Sequence, residues 1–356
     1  IMKNYMHLNS TRSIVRGIVP VLLLSLLIPI ILIYCNATDA DDTINLYCCS
    51  SMKDVVVEGI IPAFQKMQMA QYNRDVNFNT NFRGSVELTS IIISEQTADI
   101  AILSSEIDAT RLLNRGVLTE ESWLKSPHKG TIVRSPVLIV YNSEETGKIS
   151  DFDELGKLSV HLIHSSPLHS GLGQWGIMAC YGSFLSETND SGVAMERLKK
   201  LWHSVTLRPI SASMARDQYT KKLGNAIITC ESELLGSSNR QVMDGEVCVP
   251  SNTILCEPKV VTIPQDVSPS KKQLIRNFQK FLWSDRAQQI FVDYGFRSVA
   301  DRLNKENKRL VELNSTFTLD DLGGVKFAKC ELIEDKWQNE IRIYYKNPTQ
   351  EDLPKE

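Results

Sequence analysis

The sequence predicts an α/β fold of two lobes, in which each lobe is a mostly parallel sheet flanked by helices. Three observations favour this fold. From residue 43 onward, short apolar segments alternate with amphipathic helical segments, an order typical of parallel sheets. The same alternation begins again near residue 158. Two long β-rich segments, 131–142 and 252–263, flank this second block, and we interpret them as crossover strands that form a hinge between the lobes.

In the first lobe, strands and helices follow each other in the order β-α-β-α-β. The spacing of Val56, Ile60 and Phe64, for example, places apolar side chains on one face of a helix. We predict strands at 44–49, 75–82, 98–103 and 131–142, and helices at 53–68, 86–96 and 108–115.

The second block repeats this order and ends in helices and a polar tail. We predict strands at 158–163, 205–210, 225–230 and 252–263, and helices at 173–186, 193–202, 214–223, 269–283 and 285–294. The predicted division is residues 1–40 as a leader, 41–137 and 254–330 as the two parts of lobe 1, 138–253 as lobe 2, and 331–356 as a polar C-terminal extension.

The composition is that of an ordinary globular protein. The chain has 356 residues, of which 42% are hydrophobic and 23% charged. This length is sufficient for two lobes that each bury a core. The net charge is −3 and no block is rich in lysine or arginine, so we expect no nucleic-acid partner.

The first 40 residues have the features of an export signal. A basic stretch precedes the uncharged apolar run 17–34, and small and polar residues follow it. Cleavage after Ala37 or Ala40 would release the rest of the chain. The run is also long enough to remain as a membrane anchor, and lipid attachment at Cys35 is a third alternative. In each case we expect the remaining chain to be periplasmic or otherwise extracytoplasmic.

Seven cysteines follow the leader, so at least one of them is unpaired within the chain. Their spacing is not that of a zinc site, and we interpret most of them as small buried apolar side chains. The pair Cys248 and Cys256, across a short loop, is the disulfide that the sequence suggests. We predict neither a metal nor a cofactor.

Four serine-containing loops stand between a predicted strand and the helix that follows it. They are 48–51, 83–85, 165–175 and 211–213. The first turn of a helix has N–H groups without partners and a positive partial charge, which suits an anion. Ordinary N-capping by serine is the alternative for each loop. Four such loops after four strands favour a common anion site.

At these loops the chain resembles the periplasmic sulfate-binding and molybdate-binding proteins of ABC importers, which are type II periplasmic binding proteins. The resemblance covers about residues 43–330. Its main segments are 50–54 (SSMKD), 82–85 (FRGS), 98–100 (ADI), 170–175 (SGLGQW) and 230–233 (CESE).

The resemblance implies a set of ligand-binding residues. Ser51 and Ser85 would offer hydroxyl groups, and Ser85 its N–H as well. The backbone positions are Gly84, which allows close approach, and the N–H donors Gly171, Leu172 and Ala212.

Three positions depart from the family pattern. Leu172 replaces a glycine, a change that its backbone N–H survives. Cys230 stands where the family has a donor tryptophan or tyrosine, and a buried thiol is a poor donor. Arg83 replaces a glycine; it either restores the missing contact as a charged fork or lies in solvent.

The resemblance implies a binding protein that delivers a tetrahedral oxyanion to an ABC permease and acts as a monomer. Sulfate is the expected anion, with molybdate or tungstate next, because these dianions need only donors. Phosphate would need an acceptor, for which Glu87, Asp217 and Glu231 are candidates, although a surface or ion-pair role is the simpler interpretation.

An enzyme is not expected, because nucleophile-elbow, zinc-protease and P-loop motifs are absent. His161, His164 and His169 are close in sequence but lack a metal-ligand pattern, and His169 is the one that could line the cleft. A membrane-tethered anion sensor with a signalling partner and an enzyme on the same fold are the alternatives.

Overall fold

The structure is a computed structural model that describes residues 41–119, 121–236 and 243–342. The predicted leader, with its apolar run 17–34, lies outside the described residues, and so does the end of the chain from residue 343. Among the described residues, no helix combines the length and apolar character needed to cross a membrane.

The described residues form twelve strands and a series of helices. The strands are β1 Thr43–Cys49, β2 Asn77–Arg83, β3 Ile100–Leu103, β4 Val133–Tyr141, β5 Leu162–Ile163, β6 Val205–Leu207, β7 Ala226–Cys230, β8 Glu246–Cys248, β9 Thr253–Cys256, β10 Lys259–Thr262, β11 Arg297–Ser298 and β12 Thr316–Phe317. The α-helices are α1 Ile61–Tyr72, α2 Ser85–Glu95, α3 Glu106–Asn114, α4 Ser143–Thr146, α5 Gly171–Thr188, α6 Ser191–Trp202, α7 Ala212–Thr220, α8 Glu231–Leu235, α9 Pro269–Phe281, α10 Asp285–Asp293, α11 Asp301–Glu306 and α12 Gly324–Lys326. Segments Val55–Ile60 and Phe327–Ile341 are π-helical, and Ser50–Met52, Ser122–Lys125, Pro127–Gly130 and Phe152–Gly156 are 3₁₀ turns.

The first lobe is built on a four-stranded sheet with the order β10-β3-β1-β2. Strands β2 and β3 run parallel to β1, whereas β10 is antiparallel to β3. The helix predicted at 53–68 is present as a π-helical turn continued by α1. It buries Val56, Ile60 and Phe64 as their spacing requires, and it ends at Asn73, which has a left-handed φ of 48°.

The second lobe is built on a sheet with the order β12-β9-β4-β7-β5-β6, to which β8 adds by pairing with β4. Strands β6 and β7 are parallel to β5, and β4 is antiparallel to its neighbours. The predicted two-lobe α/β class is therefore confirmed. In the first sheet the central pair, β3 and β1, is parallel. In the second sheet β4 lies antiparallel between β9 and β7, and the parallel pairs are β12-β9, β7-β5 and β5-β6, so this sheet is mixed rather than mostly parallel.

Both crossovers are present. Along β4, Val133 belongs to the core of the first lobe and Val137 to the core of the second. The return crossover is two short strands rather than one long strand, because the chain between β9 and β10 contains Pro258, which has no N–H to donate to a ladder. The crossovers pair with each other where Ser135 is opposite Cys256.

The C-terminal part of the described chain differs from the prediction. Residues 316–342, expected to lie partly in lobe 1 and partly in a polar extension, pack on the second lobe. The π-helical segment Phe327–Ile341 buries Leu332, Trp337 and Ile341, and the ring of Trp337 lies 5.4 Å from that of Trp202. Although most residues of this segment are polar, its apolar residues recur at helical spacing and form one buried face.

Candidate functional site

The loops that precede α2 and α5 bring the two lobes into direct contact. The backbone N–H of Val86, in the first turn of α2, donates to the carbonyl oxygen of His169 at 3.2 Å. A Cβ at Gly84 would lie 2.5 Å from that same oxygen and 2.8 Å from the carbonyl oxygen of Ile210. The close approach of the lobes at this point therefore requires glycine.

Gly171, at the start of α5, faces the first lobe in the same way. A Cβ there would lie 2.2 Å from Cβ of Ser104 and 3.2 Å from Cβ of Ser85. One turn further along α5, the indole N–H of Trp175 donates to the carbonyl oxygen of Ser104 at 3.1 Å. Thus Gly84, Ser85 and Gly171 are brought together, and Ser104 and Trp175 join them.

The N-caps distinguish these helices from ordinarily capped ones. Gly84 has no side chain to cap α2, and Ser170 makes no side-chain capping bond to α5. Ser211 does cap α7, because its Oγ accepts the N–H of Met214 at 3.2 Å. The capping alternative is therefore correct for Ser211. At α2 and α5 no N-cap side chain accepts a first-turn N–H, and the two helix starts lie close together at Ser85 and Gly171.

Ser85 is buried in a polar network of the first lobe. Its Oγ accepts the N–H of Ser104 at 3.0 Å and lies 2.5 Å from Oδ2 of Asp108. The second oxygen of Asp108 accepts from Nη1 of Arg111 at 2.9 Å. Burial raises the pKa of Asp108 above its usual range, and this effect exceeds the opposing ones of Arg111 and Ser85.

The sequence analysis missed Ser104 and Asp108, although a signal for Ser104 was available. Residues 104–105 are serines that follow the predicted strand 98–103 and precede a helix, which is the pattern that identified the other four loops. Asp108 had no such signal, since it lies within the predicted helix 108–115.

The turn Ser50–Met52, which contains Ser51, packs against α7 of the other lobe, the helix that begins at Ala212. Ser51 is half-buried, with its Oγ 3.6 Å from Sγ of Cys49, and Ala212 is buried at the first position of α7. Leu172 buries its side chain in the core of the second lobe.

Two predicted contacts differ in the structure. The half-exposed side chain of Arg83 lies 3.6 Å from the carboxylate of Glu87, which agrees with the solvent alternative rather than the charged fork. The thiol of Cys230 is packed in the second-lobe core, 3.4 Å from Sγ of Cys256. All seven cysteines of the described chain are free, so the expected Cys248–Cys256 disulfide is not formed, and Cys230 is instead the thiol beside Cys256.

The acids proposed as acceptors for a protonated anion are engaged elsewhere or exposed. Glu231 is buried and accepts from Nε of Arg297 at 2.7 Å. Asp217 is exposed, with Arg216 at 3.6 Å. The acid in contact with Ser85 is instead Asp108, which is not one of the three acids predicted from the sequence.

Among the residues that the structure describes, no group of three or more histidine, cysteine, aspartate or glutamate side chains could hold a metal ion. His164 is buried, with Nδ1 2.7 Å from the carbonyl oxygen of Ser165 and its ring 4.6 Å from that of Trp202. Burial lowers the pKa of His164 to about 4, so it is neutral near pH 7. His169 is exposed, with Nδ1 3.2 Å from Oγ of Ser166.

Two lobes joined by a double crossover, which meet at helix N-termini without side-chain caps, are typical of a protein that holds a small ligand between its lobes. The chain matches the sequence model of the bacterial extracellular solute-binding proteins over residues 44–297, and it belongs to this family.

Individual relatives agree with this assignment. The sulfate-binding protein of Synechocystis sp. is 23% identical over 304 residues, which cover 84% of this chain and 86% of that protein. The thiosulfate-binding protein of Pseudomonas aeruginosa is 24% identical over 233 residues, which cover 64% of this chain and 70% of that protein. Among solved structures, the sulfate-binding protein SubI from Mycobacterium tuberculosis matches with a TM-score of 0.71 and 24% identity, covering 79% of this chain and 96% of that one. The resemblance stated from the sequence is confirmed at the level of the family and the fold.

Proposed function

We propose that this protein captures a tetrahedral oxyanion, sulfate first, between its lobes and delivers it to the permease of an ABC importer. The observation that carries the proposal is that the N-termini of α2 and α5, from opposite lobes, lie against each other at Ser85 and Gly171 without side-chain caps. Such an arrangement offers N–H donors and positive partial charge to an anion from both sides.

In this proposal the donors are the N–H groups of Ser85, Gly171, Leu172 and Ala212, together with the hydroxyl groups of Ser51 and Ser85. Arg83 and Cys230 are left out, because the first is turned toward Glu87 and the second toward Cys256. The charge of the anion is then balanced by helix ends rather than by a cation, since Arg111 already pairs with Asp108.

The names of the relatives support sulfate as the first candidate. The thiosulfate-binding relative makes thiosulfate, which is also tetrahedral, the second candidate. Molybdate and tungstate remain further candidates on the sequence resemblance. The relatives reported above carry binding-protein names, which supports a transport role over the enzyme and sensor alternatives.

Binding would proceed by closure of the lobes. The contacts between α2 and the loop before α5 exist only when the lobes are together, so a ligand that bridges both helix ends stabilises the closed form. An extracytoplasmic location, released or held at the membrane by residues 17–34, and action as a monomer belong to the same proposal.

A thermal-shift titration of residues 41–356 tests the ligand class. The anions are sulfate, thiosulfate, molybdate, tungstate and phosphate, with a neutral sugar as control. A ligand that binds only the folded protein stabilises it by about 2.7 kcal/mol at a concentration of about one hundred times Kd. We expect sulfate to raise Tm most and the sugar not at all. Folded, ligand-free protein whose Tm responds to none of these anions would contradict the proposal.

A further inference from the structure

The hydroxyl group of Ser104 has a hydrogen that none of its protein neighbours accepts. Ser104 follows β3 of the first lobe, and its side chain is buried, with the residue 8% exposed. Its Oγ accepts the indole N–H of Trp175 at 3.2 Å, and a serine hydroxyl that accepts still has one hydrogen to donate. Among the residues that the structure describes, none accepts that hydrogen. A buried donor without an acceptor is unfavourable, so this hydroxyl is suited to a ligand.

This hydroxyl lies at the start of α5, where we propose that the anion binds. A Cβ at Gly171 would lie 2.2 Å from Oγ of Ser104, so Oγ is in contact with the backbone of a residue whose N–H is a proposed donor. The N–H of Ser104 donates to Oγ of Ser85 at 3.0 Å, and this bond fixes the loop beside the start of α2. Ser104 is therefore held between the two helix starts by its backbone, and its hydroxyl remains available.

The indole of Trp175 connects this hydroxyl to the second lobe. Its N–H is shared between the carbonyl oxygen of Ser104 at 3.1 Å and Oγ at 3.2 Å. We propose that Ser104 is a further ligand-binding residue, which accepts the Trp175 N–H and donates its own hydrogen to the bound oxyanion. This inference rests on the proposed function. A hydroxyl that accepts one hydrogen bond is a stronger donor in the next, because the bonds of such a chain polarise one another.

The chain of hydrogen bonds from Trp175 through Ser104 forms only when the lobes are together. Ser104 belongs to the first lobe, whereas Trp175 lies in the core of the second. In the open form the hydroxyl lacks the indole and is a weaker donor, so an anion bound to it favours closure. Trp175 thus gives the second lobe a side-chain contribution to binding that Cys230, whose thiol lies 3.4 Å from that of Cys256, does not provide.

Ser104→Ala separates the proposed donor from the structure around it. The variant loses Oγ but keeps the carbonyl oxygen that accepts from Trp175 and the N–H that donates to Ser85. In a calorimetric titration with sodium sulfate we expect Kd to rise by about ten- to a hundredfold, because one hydrogen bond to a charged ligand is lost. The Tm of the ligand-free variant should stay close to that of the unmodified protein.

Two further variants separate donation from packing. Ser104→Cys keeps a side chain of similar shape, but a thiol is a weak donor, so sulfate affinity should fall as it does in Ser104→Ala. Ser105→Ala is the matched control, because Ser105 is also buried and its Oγ has no partner among the described residues. Its backbone is extended, with φ of −156° and ψ of 171°, which places its side chain on the other side of the chain from that of Ser104. Ser105→Ala should bind sulfate as the unmodified protein does.

A double-mutant cycle tests the contribution of Trp175. Trp175→Phe removes the indole N–H and retains an aromatic ring, and we expect it to weaken sulfate binding by about two- to tenfold when Ser104 is present. In the Ser104→Ala background the same change should have little effect on Kd, because the indole acts on the anion through Oγ. A role in packing alone would weaken binding equally in both backgrounds, since the bond from Trp175 to the carbonyl oxygen of residue 104 is present in both.

Four results would overturn the inference. They are unchanged sulfate affinity in Ser104→Ala, an equal loss in Ser105→Ala, unweakened binding by Ser104→Cys, and equal effects of Trp175→Phe in the two backgrounds. If the folded, unmodified protein does not bind sulfate at all, the proposed function fails, and this inference fails with it. The inference alone fails when the unmodified protein binds sulfate and Ser104→Ala binds it as tightly, so the two failures are distinguishable.

Discussion

The two sides of the site use different chemistry. The first lobe presents a side chain, Ser85, fixed by a buried network that contains the ionisable groups Asp108 and Arg111. The second lobe presents a glycine, Gly171, on a helix start supported by His164, which burial keeps neutral. The difference is one of charge: the buried network of the first lobe contains an ion pair, whereas the buried histidine of the second lobe is neutral near pH 7 and makes that lobe sensitive to acid.

The largest effect is expected from a variant that prevents the lobes from closing without removing a side chain from the candidate site. Gly84→Ala places a Cβ against the carbonyl oxygens of His169 and Ile210, which are backbone atoms and cannot rotate away. The lobes can then meet only partly, and at least two hydrogen bonds from the second lobe to the anion are lost. At about 1.5–3 kcal/mol for each bond to a charged group, the loss is about 3–6 kcal/mol, or about 150- to 20,000-fold in Kd.

Isothermal titration with sulfate measures this loss. Gly156→Ala is the matched control, because its Cβ would meet mainly the flexible side chain of Lys200, at 3.3 Å. Small-angle scattering should show that saturating sulfate compacts the control and leaves Gly84→Ala open. If the two variants bind sulfate with equal affinity, Gly84 does not lie in the interface that forms when the lobes close.

The second test concerns the neutral imidazole of the second lobe. In the folded protein the pKa of His164 is lowered to about 4. The neutral imidazole therefore contributes its full stability above the pKa of the unfolded chain. This contribution to the free energy of unfolding is lost as pH falls through the folded pKa. Between about pH 6.5 and 4 the free energy of unfolding should fall by a total of about 3 kcal/mol from this group.

Denaturant unfolding at a series of pH values measures the free energy of unfolding for the protein and for His164→Asn. The variant should be less stable at neutral pH, but its free energy should fall less steeply on acidification. His161→Asn, which changes an exposed histidine of the same lobe, should keep the original slope. If His164→Asn keeps it too, the buried imidazole is not the acid-sensitive group.

The smallest expected effect is that of the Ser85 hydroxyl alone. Ser85→Ala removes one donor to a charged ligand and leaves the backbone N–H, so we expect a loss of about 1.5–3 kcal/mol in sulfate binding. Ser90→Ala, on the same helix but exposed, should bind like the unmodified protein. Unchanged affinity in Ser85→Ala, measured by the same titration, would exclude this hydroxyl from the site.

Local patterns in the sequence were sufficient for the elements and for part of the site. The 3.6-residue spacing of Val56, Ile60 and Phe64 predicted a helix that the structure contains, and serine loops after strands indicated Ser85 and Gly171. The helix prediction succeeds because burial of one helix face depends on the spacing of neighbours within a few residues, whereas the roles of Ser85 and Gly171 in binding stay predictions.

What the sequence by itself determined is the two-lobe α/β class, the pair of crossovers and the loops that meet between the lobes. Only the tertiary structure decided the partners of those loops. It brought Asp108 to Ser85 across 23 positions and Trp175 to Ser104 across 71, it buried Cys230 against Cys256, and it packed the C-terminal helix on the second lobe. The physical reason is that hydrogen-bond partners, burial and the pKa values they shift depend on which distant segments share a volume. Which distant segments meet is decided by the order of the strands and the contact between the lobes, and the periodicity of the sequence does not predict either.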